Sequence, residues 1–270
     1  MEAAQLGPTA SGAGDIQVIA RSAQLLRLFS TTQRSLRVSD VGPESGLQRT
    51  TVHRYLSSMA NAGFLERDND GGYRLGPLLV QLGTVALRGL RVLEIAGPHC
   101  QELADEARET AVLAVWGGLG PVVARVHEAT DRLVNISIRI GSQLPLEAAQ
   151  SVVFLAFMTD VSIEARLLSQ LPETRRREIK LQIETVRREG YMVSSQVVQG
   201  IRAIAAPVFD GRGDVCATVA ILGTVNGISD GERSGLLLAL ARTAERLSRD
   251  LGWMGNLPFN ALLESNQSAS

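Results

Sequence analysis

Few residues of this chain are of the types that most catalytic and metal sites need. The 270 residues include three histidines and two cysteines, and they form no cluster with acidic residues at the spacing of metal ligands. The sequence also lacks the Gly-x-Ser-x-Gly turn of hydrolases. Gly118-Leu-Gly120 leads into Pro121 and a strand pattern, whereas a phosphate-binding loop leads into a helix. We therefore predict no catalytic residue, no metal site and no cofactor.

Long apolar runs are also absent. No run is long enough to span a membrane, and the start of the chain does not have the pattern of a signal peptide. The two cysteines, Cys100 and Cys216, stand far apart in apolar patterns, which favours buried, reduced thiols over a redox switch. The sequence therefore predicts a cytoplasmic protein without a membrane partner.

Charge of one sign is lacking as well, since the 27 basic and 28 acidic residues give a formal net charge of −1. This balance excludes a protein that coats nucleic acid through bulk charge. Residues 15–76 hold eight arginines and six acids, which is a small positive excess. Any nucleic-acid surface must therefore come from a local patch.

Residues 36–67 have the pattern of two helices joined by a tight turn. Ser39 is placed to cap a short first helix, and Gly46 can take the left-handed conformation that the turn needs. The second helix has one apolar stripe at helical spacing, formed by Val52, Tyr55, Leu56 and Met59. The pattern predicts a helix-turn-helix whose second helix buries one side only.

The other side of the second helix begins with polar residues and no acid. The N-terminal end of a recognition helix is where base edges and phosphates are met. An ordinary helical pair with a solvated polar face is the alternative, and helix spacing alone does not exclude it. The hairpin sequence Asp68-Asn-Asp-Gly-Gly72, between strand patterns at 64–65 and 73–75, adds a wing and favours DNA binding.

We predict that double-stranded DNA is contacted from both helices and from the wing. The predicted contact residues are Ser39, Gln48, Arg49, Thr50, Thr51, His53, Arg54, Arg67 and Arg74. The arginines of the second helix are predicted to contact phosphate or guanine, and its glutamine and threonines to contact base edges. The two wing arginines are predicted to contact the DNA backbone.

The rest of the chain alternates helix and strand patterns. Helices are predicted over 16–30, 77–94, 95–109, 172–189 and 230–251, with a loop and helix over 145–159. Strands are predicted over 111–116, 122–128, 133–139, 191–193, 203–209 and 215–222. In the charged helix, Arg175-Arg-Arg177 is interspersed with acids, which favours a solvated face over a nucleic-acid patch. Antiparallel strands flanked by helices predict an α+β fold.

Two separated parts of the sequence resemble the IclR family of bacterial transcription regulators. Gly46-Leu-Gln-Arg-Thr-Thr-Val-His-Arg-Tyr-Leu56, with Gly63-Phe-Leu-Glu-Arg67 and Tyr73-Arg-Leu-Gly76, is similar to that family's winged helix. Gly190-Tyr191 and Gly200-Ile-Arg-Ala-Ile-Ala-Ala-Pro-Val-Phe-Asp210 are similar to the signature of its effector domain. The resemblance implies a winged helix-turn-helix domain over 15–76 and a GAF-like effector-binding domain over 95–254.

The helix over 77–94 is the expected linker between the domains. Its apolar face has too many large apolar residues for a helix that is surrounded by solvent. The resemblance implies a homodimer that packs through this face, and such dimers could pair into tetramers. The candidate dimerisation residues are Leu78, Leu82, Val85 and Leu90. A repressor that binds a pseudo-palindromic operator and responds to a small-molecule effector is the implied function. The segments 1–14 and 255–270 have no pattern, and they are predicted to be a disordered start and a flexible tail.

The resemblance also places the effector between the sheet and nearby loops. The residues that it carries onto this chain are Leu133, Gln150, Ser151, Ser194, Ser195, Ala203, Ala220 and Leu222; Trp116 is added for its place at the end of a central strand. Relatives that bind small polar acids offer hydroxyls where this chain has Ala220 and Leu222, so we predict a less polar pocket for an aromatic or hydrophobic metabolite. Two alternatives remain: these two residues are simply core, or the second domain only assembles subunits and binds no ligand.

Overall fold

The computed structural model describes residues 16–129, 138–195, 197–229 and 233–256, and the chain divides between Gly89 and Leu90 into two compact units. The predicted disordered start, residues 1–14, lies outside the described residues, as does all of the predicted flexible tail except residues 255–256. None of the helices in the described ranges combines the length and apolar character that crossing a bilayer would require.

The first unit, called the reading unit below, is a small helical domain with a two-stranded hairpin. Its elements are α1 (Gln17–Leu26), α2 (Val38–Ser45), α3 (Arg49–Asn61), β1 (Leu65–Arg67), β2 (Tyr73–Leu75) and α4 (Pro77–Arg88). One apolar cluster holds it together: Leu25, Leu36, Val41, Val52, Leu56, Met59, Leu65 and Tyr73. This arrangement confirms the predicted helix-turn-helix and wing.

Helix α1 ends at Leu26, four residues before the end of the predicted helix at 16–30. The hydroxyl of Ser30 accepts hydrogen bonds from the backbone N–H groups of Thr32 and Gln33. Such a side-chain turn competes with the helical hydrogen bonds, so the chain leaves the helix early.

The predicted capping role of Ser39 is wrong. Helix α2 begins at Val38 with Arg37 in the capping position, and the carboxylate of Asp40 accepts the N–H of Arg37 at 3.3 Å. Asp40 at the third position, and not Ser39, supplies a side-chain acceptor at this end, because an acid in the first turn can satisfy a backbone donor that the helix leaves unpaired. Gly46 then ends α2 with φ of 65°, a left-handed conformation that confirms the predicted turn.

The wing is fastened to the helices through Tyr73 of β2. Strands β1 and β2 pair antiparallel, with Leu65 opposite Leu75. Leu36, which precedes α2, exchanges two backbone hydrogen bonds with Tyr73, at 2.8 and 2.9 Å. The wing thus has a short third strand, and the Tyr73 ring is buried in the core of the reading unit.

The helix predicted over 77–94 is interrupted. Helix α4 ends at Arg88, and α5 (Arg91–Ala107) begins after Gly89 and Leu90. Glycine favours helix less than most residues, and the N–H of Gly89 turns back to the carbonyl of Ala86. The apolar pattern continues through the break because Leu90 and Leu93 pack against the core of the second unit.

The second unit is an antiparallel five-stranded sheet between two layers of helices. Its strands are β3 (Thr110–Trp116), β4 (Pro121–His127), β5 (Met192–Ser194), β6 (Ile201–Phe209) and β7 (Val215–Thr224), in the order β4-β3-β7-β6-β5. After α5, its helices are α6 (Ala149–Phe157), α7 (Val161–Leu168), α8 (Glu173–Glu189) and α9 (Arg233–Asp250). The α+β prediction is confirmed, while most of the strand predicted at 133–139 lies outside the described residues.

Helix α7 was not predicted. Its start is marked by Asp160, whose carboxylate accepts the N–H of Ser162 at 2.9 Å. This is an ordinary N-cap, and the sequence signal for it was present. The helix has only 8 residues, too few for a clear apolar periodicity, and it lies between the helices predicted at 145–159 and 172–189.

The alternation of side chains along the strands divides the second unit into two cores. Residues such as Leu113, Ile204 and Val219 face α5 and α9. The neighbouring residues in the strands, such as Ala205 and Ala220, face α6 and α8. The second side, called the α6 face below, is where the predicted effector residues fall.

A steric test of the reading unit compares two glycines of the same unit. A Cβ at Gly76 would lie 2.8 Å from the backbone N and C atoms of Leu65, whereas a Cβ at Gly83 of α4 would have nothing within 4 Å. We expect Gly76→Ala to lower the unfolding free energy by more than ~1 kcal/mol, and Gly83→Ala to raise it by about 0.5–1 kcal/mol. Urea unfolding measures both. Equal stability of the two variants would contradict the close approach of Gly76 to β1.

Candidate DNA-reading helix and effector face

Helix α3 buries one side and exposes the polar residues at its start. Val52, Leu56 and Met59 are buried in the core of the reading unit. The predicted contact residues on the opposite side are exposed, except for the half-buried Thr51: Gln48, Arg49, Thr50, His53 and Arg54. The structure therefore brings these six together on one surface, which is what a helix in a major groove requires.

The charge on this surface is not compensated. Helix α3 contains no acidic residue. Arg49 and Arg54 form no hydrogen bond or ion pair with any residue that the structure describes. Their guanidinium groups are therefore available to phosphates or guanines, to which arginine can donate two parallel hydrogen bonds.

The two wing arginines are engaged with the protein itself. Nε of Arg74 lies 2.7 Å from a carboxylate oxygen of Glu66 on the neighbouring strand. Arg67 donates a hydrogen bond from Nη2 to Ser57 Oγ at 3.3 Å and lies over the ring of Tyr73. Of the four predicted arginines, the two on α3 therefore contact no partner among the described residues, and the two on the wing contact other protein side chains. Ser39 is exposed on α2, where its hydroxyl donates to Asp40.

In the second unit, three of the predicted effector residues share one end of the α6 face. Ser194 of β5 pairs with Ala203 of β6, and Ala203 pairs with Leu222 of β7. Ala203 and Leu222 are half-buried and Ser194 is buried, so this row is only partly exposed. Ala220, by contrast, is completely buried in the core of this face, which corrects its placement at a ligand surface and favours the core alternative for it. Leu133 lies outside the described residues.

Two of the polar side chains predicted to hold the effector lie on α6 and donate hydrogen bonds within the protein. The amide nitrogen of Gln150 donates to the carbonyl and the hydroxyl of Thr218, both at 3.1 Å. Ser151 donates to the carbonyl of Pro145 at 2.6 Å. Both side chains are buried and donate within the protein, and their role toward an effector stays a prediction. Ser195 is exposed, and its hydroxyl accepts from Nε of Arg202 at 3.3 Å.

Trp116 does not belong to the same site. Thr110 pairs with Leu222, and Trp116 stands at the other end of β3. That separation is about 20 Å, given a rise of roughly 3.3 Å per strand residue. Trp116 instead packs on Phe154 of α6, with ring centroids 5.5 Å apart. The sequence showed that Trp116 ends a strand but not how that strand pairs, so its distance from Leu222 was not predicted, and its role toward an effector stays a prediction.

Helix α4 exposes a set of large apolar residues. Leu82 and Val85, which were predicted for dimerisation, are 50% and 66% exposed, and Val80 and Leu87 on the same helix are 68% and 51% exposed. Helix α1 adds Val18 and Ile19, at 59% and 65% exposure. Leu78 is half-buried beside Gly63, and the partly buried Leu90 packs against the core of the second unit, so the four predicted dimerisation residues do not all lie on one exposed face of α4.

The described residues were compared with the requirements of a metal site and of a reactive thiol. They contain no group of three or more histidine, cysteine, aspartate or glutamate side chains that could hold a metal ion. Burial raises the pKa of the Cys100 thiol to about 12, and that of Cys216 to about 12 as well. Both thiols therefore stay protonated and weakly nucleophilic near neutral pH.

The Arg175-Arg-Arg177 sequence of α8 is part of a solvated, acid-paired face, as predicted. Arg175 and Arg177 form ion pairs with Glu178 and Glu173, at 2.6 and 2.9 Å. Arg176 donates to the carbonyls of Leu168, Ser169 and Leu171 at the end of α7. These arginines are occupied by acids and by a helix C-terminus, where cations are stabilised.

Comparison with known proteins matches both units to one family. The sequence model of the IclR helix-turn-helix domain matches residues 18–69. The model described as the C-terminal part of the bacterial transcriptional regulator IclR matches residues 84–249. The glycerol operon regulatory protein of Streptomyces coelicolor is 30% identical over 250 residues, which cover 89% of this chain and 98% of the relative.

Solved structures have the same fold. An IclR transcriptional regulator from Silicibacter sp. TM1040 superposes with a TM-score of 0.78 at 21% identity, over 90% of this chain and 99% of the other. An IclR homologue from Microbacterium hydrocarbonoxydans, complexed with 4-hydroxybenzoate, superposes with a TM-score of 0.65 at 24% identity, over 87% and 98% of the two chains. The matched relatives are transcriptional regulators, not enzymes. The chain therefore belongs to the IclR family of bacterial transcriptional regulators.

Proposed function

We propose that this protein is a repressor that reads a pseudo-palindromic operator through α3 of two copies and responds to a small, weakly polar effector bound at the α6 face. The observation that carries the proposal is the surface of α3, which presents two uncommitted arginines among exposed polar side chains and no acid. A groove-reading helix needs this combination, since arginine supplies both phosphate and guanine contacts. A chromosomal operator also places the protein in the cytoplasm.

The exposed apolar faces of α1 and α4 support a dimer. Six large apolar side chains on these two helices are about half exposed or more: Val18, Ile19, Val80, Leu82, Val85 and Leu87. A soluble monomer rarely leaves such a set in water, and a second copy of the same chain would cover it with a matching surface. Two α3 helices about one helical turn of DNA apart would then match a pseudo-palindrome.

The effector proposal rests on the character of the α6 face. Ala203 and Leu222 offer half-exposed apolar surface, whereas Gln150 and Ser151 donate their hydrogen bonds within the protein. A small polar acid would lose its hydration there without gaining donors, whereas an aromatic acid would gain by burial of its ring while its carboxylate stays hydrated beside the exposed Ser195. The Microbacterium relative binds 4-hydroxybenzoate, which supports an aromatic acid as the first class to test. The effector would act by favouring one of two arrangements that differ in operator affinity.

The DNA prediction concerns Arg54. A duplex is first selected by the protein from random-sequence DNA, and its binding is measured by fluorescence anisotropy against a scrambled duplex. We expect Arg54→Ala to weaken binding to the selected duplex by about tenfold or more, since a lost arginine–guanine or arginine–phosphate contact costs about 1–3 kcal/mol. Arg177→Ala, on the exposed face of α8, is the matched control and should leave binding unchanged. Equal affinity of the wild type for both duplexes would contradict specific reading.

The dimer prediction concerns the apolar face of α4. The double variant Leu82→Asp, Val85→Asp places two carboxylates on this face, and we expect it to sediment as a monomer where the wild type sediments as a dimer. Burial of charges in an interface is unfavourable, and exposure on a monomer is not. Leu181→Asp, at a 65% exposed position of α8, is the control. A double variant that remains dimeric would show that α4 is not the interface.

The effector prediction compares two classes of acid by thermal shift. We expect 4-hydroxybenzoate or benzoate to raise the melting temperature of the wild type more than acetate or pyruvate does, because ligand binding stabilises the folded state. Leu222→Asp should abolish the shift through charge repulsion, and Leu181→Asp should retain it. If none of the four acids shifts the wild type and none changes its operator affinity, the assembly-only alternative for the second unit is favoured.

A further inference from the structure

Three side chains join the wing to the reading helix. Tyr73 of β2 is buried in the core, and its Oη lies 3.3 Å from Oγ of Ser57 on α3. Arg67 of β1 lies with its guanidinium carbon 5.5 Å from the centroid of the Tyr73 ring. The same guanidinium donates to Ser57 Oγ at 3.3 Å. We call Ser57, Arg67 and Tyr73 the bracket.

The contacts of Arg67 in the bracket depend on the planar shape of its guanidinium as well as on its charge. A planar guanidinium can stack on an aromatic face and donate in its own plane at the same time, whereas an ammonium group is a compact point charge. Arg67 thereby spans from β1 to α3 and contacts both the ring and the hydroxyl of the bracket. Arg67 is exposed, so a phosphate contact would have to displace these two contacts.

The remaining charges of the wing oppose a phosphate contact. Strands β1 and β2 and their turn hold two arginines and three acids, Glu66, Asp68 and Asp70. Arg74 is paired with Glu66. The Ser35 hydroxyl and the backbone N–H of Gly72 donate to Asp68 and lower the pKa of its carboxyl, so Asp68 stays ionised. The wing is net negative, whereas α3 has two arginines and no acid.

We propose that Arg67 is a positioning residue, which fixes α3 against the wing through Ser57 and Tyr73, and that α3 rather than the wing supplies the phosphate contacts of the reading unit. This inference rests on the proposed reading of operator DNA by α3. It assigns to the wing the task of setting the angle at which α3 meets the groove, and that angle decides which base edges its side chains can reach.

The salt dependence of DNA binding separates positioning from phosphate contact. Each phosphate that a protein cation neutralises contributes about 0.9 to the slope of log affinity against log salt concentration. Loss of a phosphate contact therefore lowers the slope for every duplex. Loss of a positioning contact leaves the slope unchanged and lowers the ratio of affinities for the selected and the scrambled duplex.

The experiment measures this slope and this ratio for the full-length wild type, Arg67→Ala, Arg67→Lys and Ser57→Ala, with the selected and scrambled duplexes as probes. We expect all three variants to lower the ratio at least fivefold with an unchanged slope. Arg67→Lys should fail to rescue, since it keeps the charge and loses the planar group. Arg54→Ala is the positive control for a phosphate or base contact, and Asp70→Asn controls for the charge of the wing.

Two results would contradict the proposed positioning role of Arg67. One is a fall of the slope by about 0.9 in Arg67→Ala with recovery in Arg67→Lys, which is the signature of a phosphate contact. The other is a wild-type affinity ratio in Ser57→Ala, a variant that removes one hydroxyl and leaves every charge in place. Failure of the proposed function looks different, because the wild type itself would then bind the two duplexes equally.

Discussion

The burial of Val52, Leu56 and Met59 fixes the rotation of α3 about its axis, and the DNA-reading surface depends on that rotation. With these three side chains in the core, the polar residues at the start of the helix have to face solvent. The left-handed Gly46 then sets the direction in which α3 leaves the turn. The surface that α3 exposes in the reading unit is therefore a consequence of how its apolar stripe is buried.

In the second unit, burial likewise decides which polar side chains remain available to a ligand. Gln150 and Ser151 looked available for a ligand in the sequence, but each is buried and hydrogen-bonded to protein carbonyls. A buried polar group without a partner is costly, so α6 can lie on the sheet because Gln150 finds acceptors on β7 and Ser151 finds one in the loop before α6. What remains for a ligand at this face is mainly apolar surface at the Ala203–Leu222 row. The proposal of a weakly polar effector therefore rests on which polar groups the fold has already used.

The sequence predicted the elements well where a local pattern decides them. The turn at Gly46, the wing and most strands and helices follow from short-range periodicity and turn chemistry. It failed where a contact distant in sequence decides: Leu90 continues the apolar pattern of α4 but packs in another core, and Trp116 shares a face with Leu222 but lies at the other end of β3. Strand pairing and helix breaks of this kind depend on partners that no local window contains.

By itself, the sequence determined that this chain has a helix-turn-helix with an acid-free polar helix, a wing and an α+β second domain, because amphipathic periodicity and turn residues are local properties. Only the tertiary structure decided which arginines are uncommitted. Arg54 and Arg67 are the same residue type in the sequence. In the structure, however, Arg67 contacts Ser57 and Tyr73 of other elements, and Arg74 forms an ion pair with Glu66 on the neighbouring strand. Availability for DNA is a property of a side chain's neighbours, and neighbours are set by the fold.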